Sequence, residues 1–279
     1  MTFHDSSPEQ SDLGKKTEYD SHYHPEKLFP ISRQAKRDEI DVPEKLPFFG
    51  FDLWNHYEVS WLNEKGKPVV ALAEISYGCE SPCIIESKSM KLYFNSLNNT
   101  QFKDADAVQA IVKKDIEERV GSPTSVKIIP LNHLNDDKLF VGFSGICLDE
   151  LDIQCSSYLV EESFLTSEHE PVEETLYSNL LKSNCLVTNQ PDWGSVQISY
   201  KGKKINREGL LRYLVSFRNH NEFHEQCIER IFMDIMRNCH PEELTVYGRY
   251  TRRGGLDINP YRSTKNILQD IQNRRLSRQ

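Results

Sequence analysis

The stretch YEVSWLNEKGKPVVALAEISY, residues 57–77, alternates apolar and polar residues on both sides of Lys65-Gly66-Lys67, and so reads as two strands joined by a tight turn. An apolar-to-polar helix follows in SKSMKLYFNSL, residues 87–97. A second follows in DADAVQAIVKKDIEERVG, residues 104–121, where Val108, Ile111, Val112, Ile116 and Val120 share one face. SVKIIPLNHL (125–134) and LFVGFSGICL (139–148) read as strands. The same grammar returns later. SVQISYKGKKI (195–205) reads as a hairpin around Lys201-Gly202-Lys203, NREGLLRYLVSFRNH (206–220) and EFHEQCIERIFMDIMRN (222–238) as helices, and ELTVYGRY (243–250) and GGLDINPYR (254–262) as strands. Hairpin, helix, helix and hairpin thus occur twice, which predicts a tandem duplication of one α+β unit.

The segment between the halves, residues 149–174, carries nine acidic residues and no Lys or Arg, so the boundary is expected within it. The division is a polar N-terminal tail and lead-in over 1–45, a first unit over 46–165 and a second over 166–279. VEETLYSNLLKS, residues 172–183, reads as an amphipathic helix leading into Cys185.

The chain has 279 residues, of which 27% are charged and 38% hydrophobic, with a net charge of −8. No apolar run approaches the roughly 20 residues that span a bilayer, and the N-terminal residues lack an apolar export signal, so a cytoplasmic protein is expected. Seven irregularly spaced cysteines argue against a disulfide framework, and Cys79 and Cys83 in GCESPC are spaced too widely for the common zinc pair. Residues 248–279 hold eight Arg or Lys against two Asp. A local basic patch on an acidic chain suits a small anionic ligand better than a long nucleic acid.

Four segments could carry chemistry. In SNCLVTNQPDW (183–193), Cys185 at a helix-to-strand corner near Lys182 could be a nucleophile with Asp192 as its acid, or a small core residue. In FHEQCIERIF (223–232), His224 and Glu225 occupy a helix's first turn, with Asn221 the candidate N-cap; there Glu225 binds a ligand or only complements the helix dipole. In IIESKSMKLYFNS (84–96), Glu86, Ser87 and Lys88 open a helix and could hold a polar heterocycle and a phosphate. In RYTRRGGLDINPYR (249–262), arginines precede Gly254-Gly255, as a phosphate contact or as an ordinary solvated turn. Neither a Rossmann nor a P-loop glycine pattern occurs.

Taken together, ESKSMKLY (86–93), LKSNCLVTNQPDWGS (181–195), FRNHNEFHEQCIERIF (217–232) and YTRRGGLDINP (250–260) resemble the signature blocks of the NADPH-dependent nitrile reductases that act on 7-cyano-7-deazaguanine. The likeness is to their long, two-domain branch and runs from about residue 46 to 262. It implies a tunnelling fold, shared with GTP cyclohydrolase I, with two units per chain, a homodimer, and an active site where units meet. It also implies that Cys185 adds to the nitrile carbon to form a thioimide, Asp192 supplies the proton, and two NADPH deliver hydrides in turn, in queuosine (modified tRNA) biosynthesis. Glu86 and Glu225 would hold the deazaguanine ring, with Ile85, Ser87 and His224 beside it. Ser87, Lys88, Arg253 and Gly254 would contact NADPH, and Phe223 would form part of a lid. No metal and no nucleic acid is implied. The competing readings are a cysteine- or zinc-dependent hydrolase or cyclohydrolase of the same fold, and an RNA-binding protein using the basic C-terminal residues. The final residues, from 263 on, are expected to carry no chemistry.

Overall fold

The computed structural model describes residues 10, 22–131, 139–140, 142–266 and 273–279. Most of the expected tail (1–45) before residue 22, and Asn132–Leu134 of the first expected strand after α3, lie outside them. The described chain is mixed α+β. Its elements are β1 (Pro30–Ser32), α1 (Gln34–Glu39), β2 (Phe49–Leu62), β3 (Pro68–Gly78), β4 (Cys83–Ile85), α2 (Ser87–Ser96), α3 (Ala105–Val120) and β5 (Thr124–Pro130). They continue with β6 (Leu139–Phe140), β7 (Ile146–Cys147), β8 (Ser167–Ser178), β9 (Lys182–Asn184), β10 (Pro191–Ile205), α4 (Arg207–Ser216), α5 (His224–Cys239), β11 (Glu243–Tyr250), β12 (Leu256–Ser263) and β13 (Arg275–Leu276). No described helix is long and apolar enough to cross a membrane.

Two compact units divide the chain, and not at a single point. The first takes residues up to 36, 52–136 and 252–257; the second takes 37–51, 137–251 and 258–279. In the first unit the strand order is β5-β3-β2, with β3 and β5 antiparallel, and β1 pairs antiparallel with β4. The β2–β3 turn is at Lys65-Gly66-Lys67 as read, Gly66 taking φ +76, which a residue without a Cβ adopts without strain. Helix α3 starts on an Asp104 N-cap, stops at left-handed Gly121, and buries Val108, Val112, Ile116 and Val120.

In the second unit the order is β12-β11-β10-β8-β7, and β9 pairs with the start of β10. Here the structure corrects two expectations. Lys201-Gly202-Lys203 is no turn: β10 runs unbroken from Pro191 to Ile205, with Lys201 paired to Glu243 on one side and Glu173 on the other. VEETLYSNLLKS is not a helix: residues 167–178 form β8, antiparallel to β10, and 182–184 form β9. Leu176 and Ser178, two apart, are the buried residues at the end of β8, and the partner strand decides between a period of two and a helical period that Val172, Leu176 and Leu180 also satisfy. The hairpin of the second half is therefore β8–β10, with β9 inserted in its connection.

With that shift, the same bonds recur in the two units. Tyr93 Oη on α2 donates to Asp115 Oδ2 on α3 at 2.7 Å, and Tyr213 Oη on α4 donates to Asp234 Oδ2 on α5 at 2.7 Å. Ser96 and Ser216 hydroxyls each donate to the carbonyl three residues earlier at 2.6 Å. They accept from the amides of His24 and Glu161, both at 3.1 Å. The amides of Glu86 and Asn206, the N-caps of α2 and α4, donate to Phe29 O and Thr166 O, both at 2.9 Å.

Candidate functional site

Cys185 begins the loop 185–190 of a hairpin whose arms are β9 and the first residues of β10. Its amide donates to Gln190 O at 2.8 Å and its carbonyl accepts from Asn189 at 3.1 Å, Asn189 being left-handed at φ +54. Asp192 stands opposite Ser183 in the register of that hairpin, and Cys185 and Asp192 are both buried, 5% and 6% exposed. The loop is clamped by amides: Asn221 Nδ2 donates to Asn189 Oδ1, and Asn184 Nδ2 donates to Asn221 Oδ1 at 3.2 Å. Asn221 is thus a tie between segments and not the N-cap of α5, a place that belongs to Phe223, whose amide donates to Gln226 Oε1 at 3.2 Å. Phe223 is half-buried there.

Lys182 stands on strand β9 and not at the end of a helix. On a helix, residues three apart share a face; on strand β9 successive side chains alternate, so Lys182 and Asn184 face one way and buried Ser183 the other. The Lys182 ammonium donates to Asn184 Oδ1 and to Arg218 O, both at 2.6 Å. Burial and the Arg218 charge lower its pKa, against the pull of Asp192.

His224 opens α5 and lies flat on Tyr250 of β11, ring centroids 3.9 Å apart and 7° from parallel. Its Nε2 is 3.3 Å from Asp192 Oδ2. Glu225, next on the first turn, is buried to 2%. Beneath, Glu222 receives Arg230 Nε at 3.0 Å and pairs with His220 Nε2 at 2.9 Å. Burial pushes the Glu222 carboxyl up, but His220 and Arg230 outweigh it and the net pKa is lowered. Cys227, wholly buried near the Ser183 and Tyr250 hydroxyls, has its thiol pushed well up by burial, so it is held neutral. Neither Tyr250 nor the three asparagines was singled out as a group in the sequence, because partners on separate strands and loops have no shared spacing.

The first unit carries the other expected residues. Ile85 ends β4, and Glu86 caps α2, its Oε1 accepting from Lys88 N and its Oε2 from Ser89 N, both at 2.7 Å, with Ser87 Oγ at 3.4 Å from Oε1. Burial raises the Glu86 pKa, the two amides and the Lys91 charge pulling the other way. The matching cap of α4 is Asn206, which does the same capping with one neutral oxygen on Gly209 N at 2.8 Å. A buried carboxylate is therefore more than this helix start requires, and Oε2, which accepts from Ser89 N alone, keeps a second lone pair for a donor.

Arg253-Gly254-Gly255 joins β11 to β12. Gly254 and Gly255 have φ +54 and +77, and a Cβ would fall 3.1 Å from Lys91 Nζ at the first and 2.5 Å from the Glu58 carboxyl carbon at the second. The ring of Tyr57 lies 4.8 Å beneath Arg252. Lys91 is a side chain of the motif ESKSMKLY for which no role was read; it reaches from α2 to the diglycine. His56 on β2 is another missed residue, 3% exposed, with Phe94 edge-on at 4.4 Å. Cys79 and Cys83 are buried, and burial raises the Cys83 pKa against the Arg33 charge. Among the described residues no three His, Cys, Asp or Glu side chains cluster as a metal site.

Comparison with known proteins follows the same residues. Residues 19–128 match the family described as nitrile reductase, 7-cyano-7-deazaguanine reductase, N-terminal part, and residues 191–268 match the family described as QueF-like protein. The NADPH-dependent 7-cyano-7-deazaguanine reductase of Legionella pneumophila (strain Lens) is 66% identical over 97% of this chain and 95% of its own length. The protein of that name from Ralstonia nicotianae is 55% identical over 94% and 95%. With Cys185, Asp192, Glu86 and the diglycine turn all inside the aligned length, the chain belongs to the 7-cyano-7-deazaguanine reductase family of nitrile reductases.

Proposed function

We propose that this protein reduces the nitrile of 7-cyano-7-deazaguanine to the aminomethyl group with NADPH, as its family relatives are named to do, in the pathway that supplies queuosine to tRNA. The observation that carries the reading is the β9–β10 hairpin: it is an insertion absent from the matching β2–β3 turn, and it carries both buried Cys185 and buried Asp192, with His224 Nε2 3.3 Å from Asp192 Oδ2. The Cys185 sulfur forms a bond to the nitrile carbon, one carbon–nitrogen π bond breaks, and the thiol proton reaches the nitrogen by way of Asp192. The product is a thioimide. His224, held flat by Tyr250, orients the Asp192 carboxyl for that transfer.

Glu86 and Glu225 serve as the acceptors for the amino and ring N–H donors of the deazaguanine, with Ile85, Ser87 and His224 beside it. Two NADPH, bound in turn, would each supply one hydride, which with two protons take the thioimide to the amine as the carbon–sulfur bond to Cys185 breaks and frees the thiol. The residues present suit a phosphate-bearing group: the diglycine leaves open backbone, Lys91 lies against it, Lys88 stands one turn earlier on α2, and Arg252 and Arg253 precede it. Ser87, Lys88, Arg253 and Gly254 are the contacts we assign to it. The paired Tyr–Asp and Ser–carbonyl bonds support reading the two halves as tandem tunnelling-fold units. The proposal includes a cytoplasmic homodimer that works on the free base, with Phe223 covering it and no metal; the net charge of −8 supports a partner other than nucleic acid.

Intact-protein mass spectrometry after mixing with 7-cyano-7-deazaguanine, without NADPH, tests the reading. The expected result is an adduct of the full nitrile mass, absent in Cys185→Ala and discharged by NADPH. A folded protein with neither adduct nor nitrile-dependent NADPH oxidation overturns it.

A further inference from the structure

Residues 273–279 lie beyond both matched family segments and were expected to carry no chemistry, yet they are docked. Leu276 and Gln279 are buried, 3% and 6% exposed. Arg249 of β11, itself buried, gathers the segment: its guanidinium donates to Gln279 Oε1 at 2.9 Å, Arg274 O at 2.6 Å and Asn273 Oδ1 at 3.2 Å. The segment in turn holds two backbone points. Gln279 Nε2 donates to Tyr250 O at 2.9 Å, and to Asn259 Oδ1 at 2.7 Å, while an Arg278 guanidinium N–H donates to Gly194 O at 2.7 Å.

Those two points are register partners: Gly194 on β10 faces Tyr250 on β11. A Cβ on residue 194 would lie 3.2 Å from the Tyr250 ring, so the ring rests over the glycine. On the Tyr250 ring rests His224, which reaches Asp192, two residues before Gly194 on the same strand. The segment therefore tethers both strands at the position that sets the spacing of Asp192 and His224. A solvated basic tail has no need of a buried glutamine aimed at a site strand.

We propose that residues 273–279 are a positioning element for the Asp192–His224 pair, acting through Arg278 on Gly194 and Gln279 on Tyr250. The claim deepens the reading of Asp192 as the proton donor and rests on it.

The experiment compares the full-length protein with Arg278→Ala, Arg278→Lys, Gln279→Ala and, as a matched loss of charge at an exposed side chain, Arg274→Ala. Three quantities are read: the rate of thioimide formation in a single turnover without NADPH, KM for the nitrile, and the proton resonance of the His224 imidazole, shifted by the Tyr250 ring and assigned with His224→Gln. Arg278→Ala and Gln279→Ala are expected to slow adduct formation about ten-fold, with KM changed less than about two-fold, as misplacing an acid without touching binding predicts. The His224 resonance moves toward that of a free imidazole in both, Arg278→Lys recovers the rate and the shift, and Arg274→Ala matches the parent protein. Folded Arg278→Ala and Gln279→Ala proteins with parental rates and an unmoved resonance overturn the proposal and leave the segment a structural cap. Should Gln279→Ala fail to fold, Arg278→Ala, altered at an exposed side chain, decides alone. Should the parent protein form no adduct, the reading of Cys185 falls, and the His224 resonance still decides whether the segment positions that ring.

Discussion

His56 shows what burial does to one titratable side chain. It is almost wholly enclosed; burial first, and the Lys91 charge second, lower its pKa to about 3, against a Gly255 backbone hydrogen bond that raises it. The unfolded chain binds a proton there near pH 6.5, the folded chain only near pH 3. The folded state is thus favoured fully above about pH 6.5, and this contribution, on the order of a few kcal/mol, is lost as pH falls through that window. Urea unfolding at about pH 7 and about pH 4.5 should show a larger loss for the parent protein than for His56→Gln. Equal losses would mean that His56 does not carry it. Glu86 moves the opposite way, its acid form favoured by burial, where the matching cap of α4 is a neutral asparagine, Asn206.

At the scale of elements, β10 explains most of the site. Its fifteen residues begin at the Cys185 hairpin, pass Asp192 and Gly194, and end at Ile205, whose amide donates to Tyr200 Oη at 2.8 Å. The strand stays continuous through Gly202 because that residue takes φ +155 and lets Pro241 approach; a Cβ there would meet Pro241 Cα at 2.9 Å. Gly202→Ala should therefore cost about 1–3 kcal/mol through strain and contact. The check is a lower urea midpoint with an unchanged slope, since the fold itself is kept. An unaltered midpoint would show that the strand relaxes around the added carbon.

At the scale of the molecule, each unit is braced by its own tyrosine on its own aspartate. Tyr93→Phe leaves Asp115 with Tyr23 Oη at 2.8 Å, and Tyr213→Phe leaves Asp234 with Arg237 at 3.0 Å, so neither carboxylate is stripped bare. Each change should cost about 1–2 kcal/mol. The two pairs share no hydrogen-bond partner, so in the double variant the losses should add to within about 0.5 kcal/mol. Calorimetric unfolding of the two single variants and the double variant measures this; a marked departure from additivity would show that the two tyrosine–aspartate pairs are energetically coupled.

The residues proposed for the chemistry were named from the chain as written. Four ordered blocks named Cys185, Asp192, Glu86, His224, Glu225 and the diglycine turn, and helical apolar patterning placed α2, α3 and α5. Local chemistry sufficed there, since caps, glycine turns and amphipathic faces are encoded within a few residues. Residues 172–183 and 201–203 were read wrongly because their local pattern serves helix, turn or strand alike, and only pairing along β10 selects among them. Tertiary structure alone also set Tyr250 under His224, Lys91 against Gly254, and residues 273–279 against β10 and β11. Those contacts join residues far apart in sequence, and no spacing rule reports which distant strands will share a register.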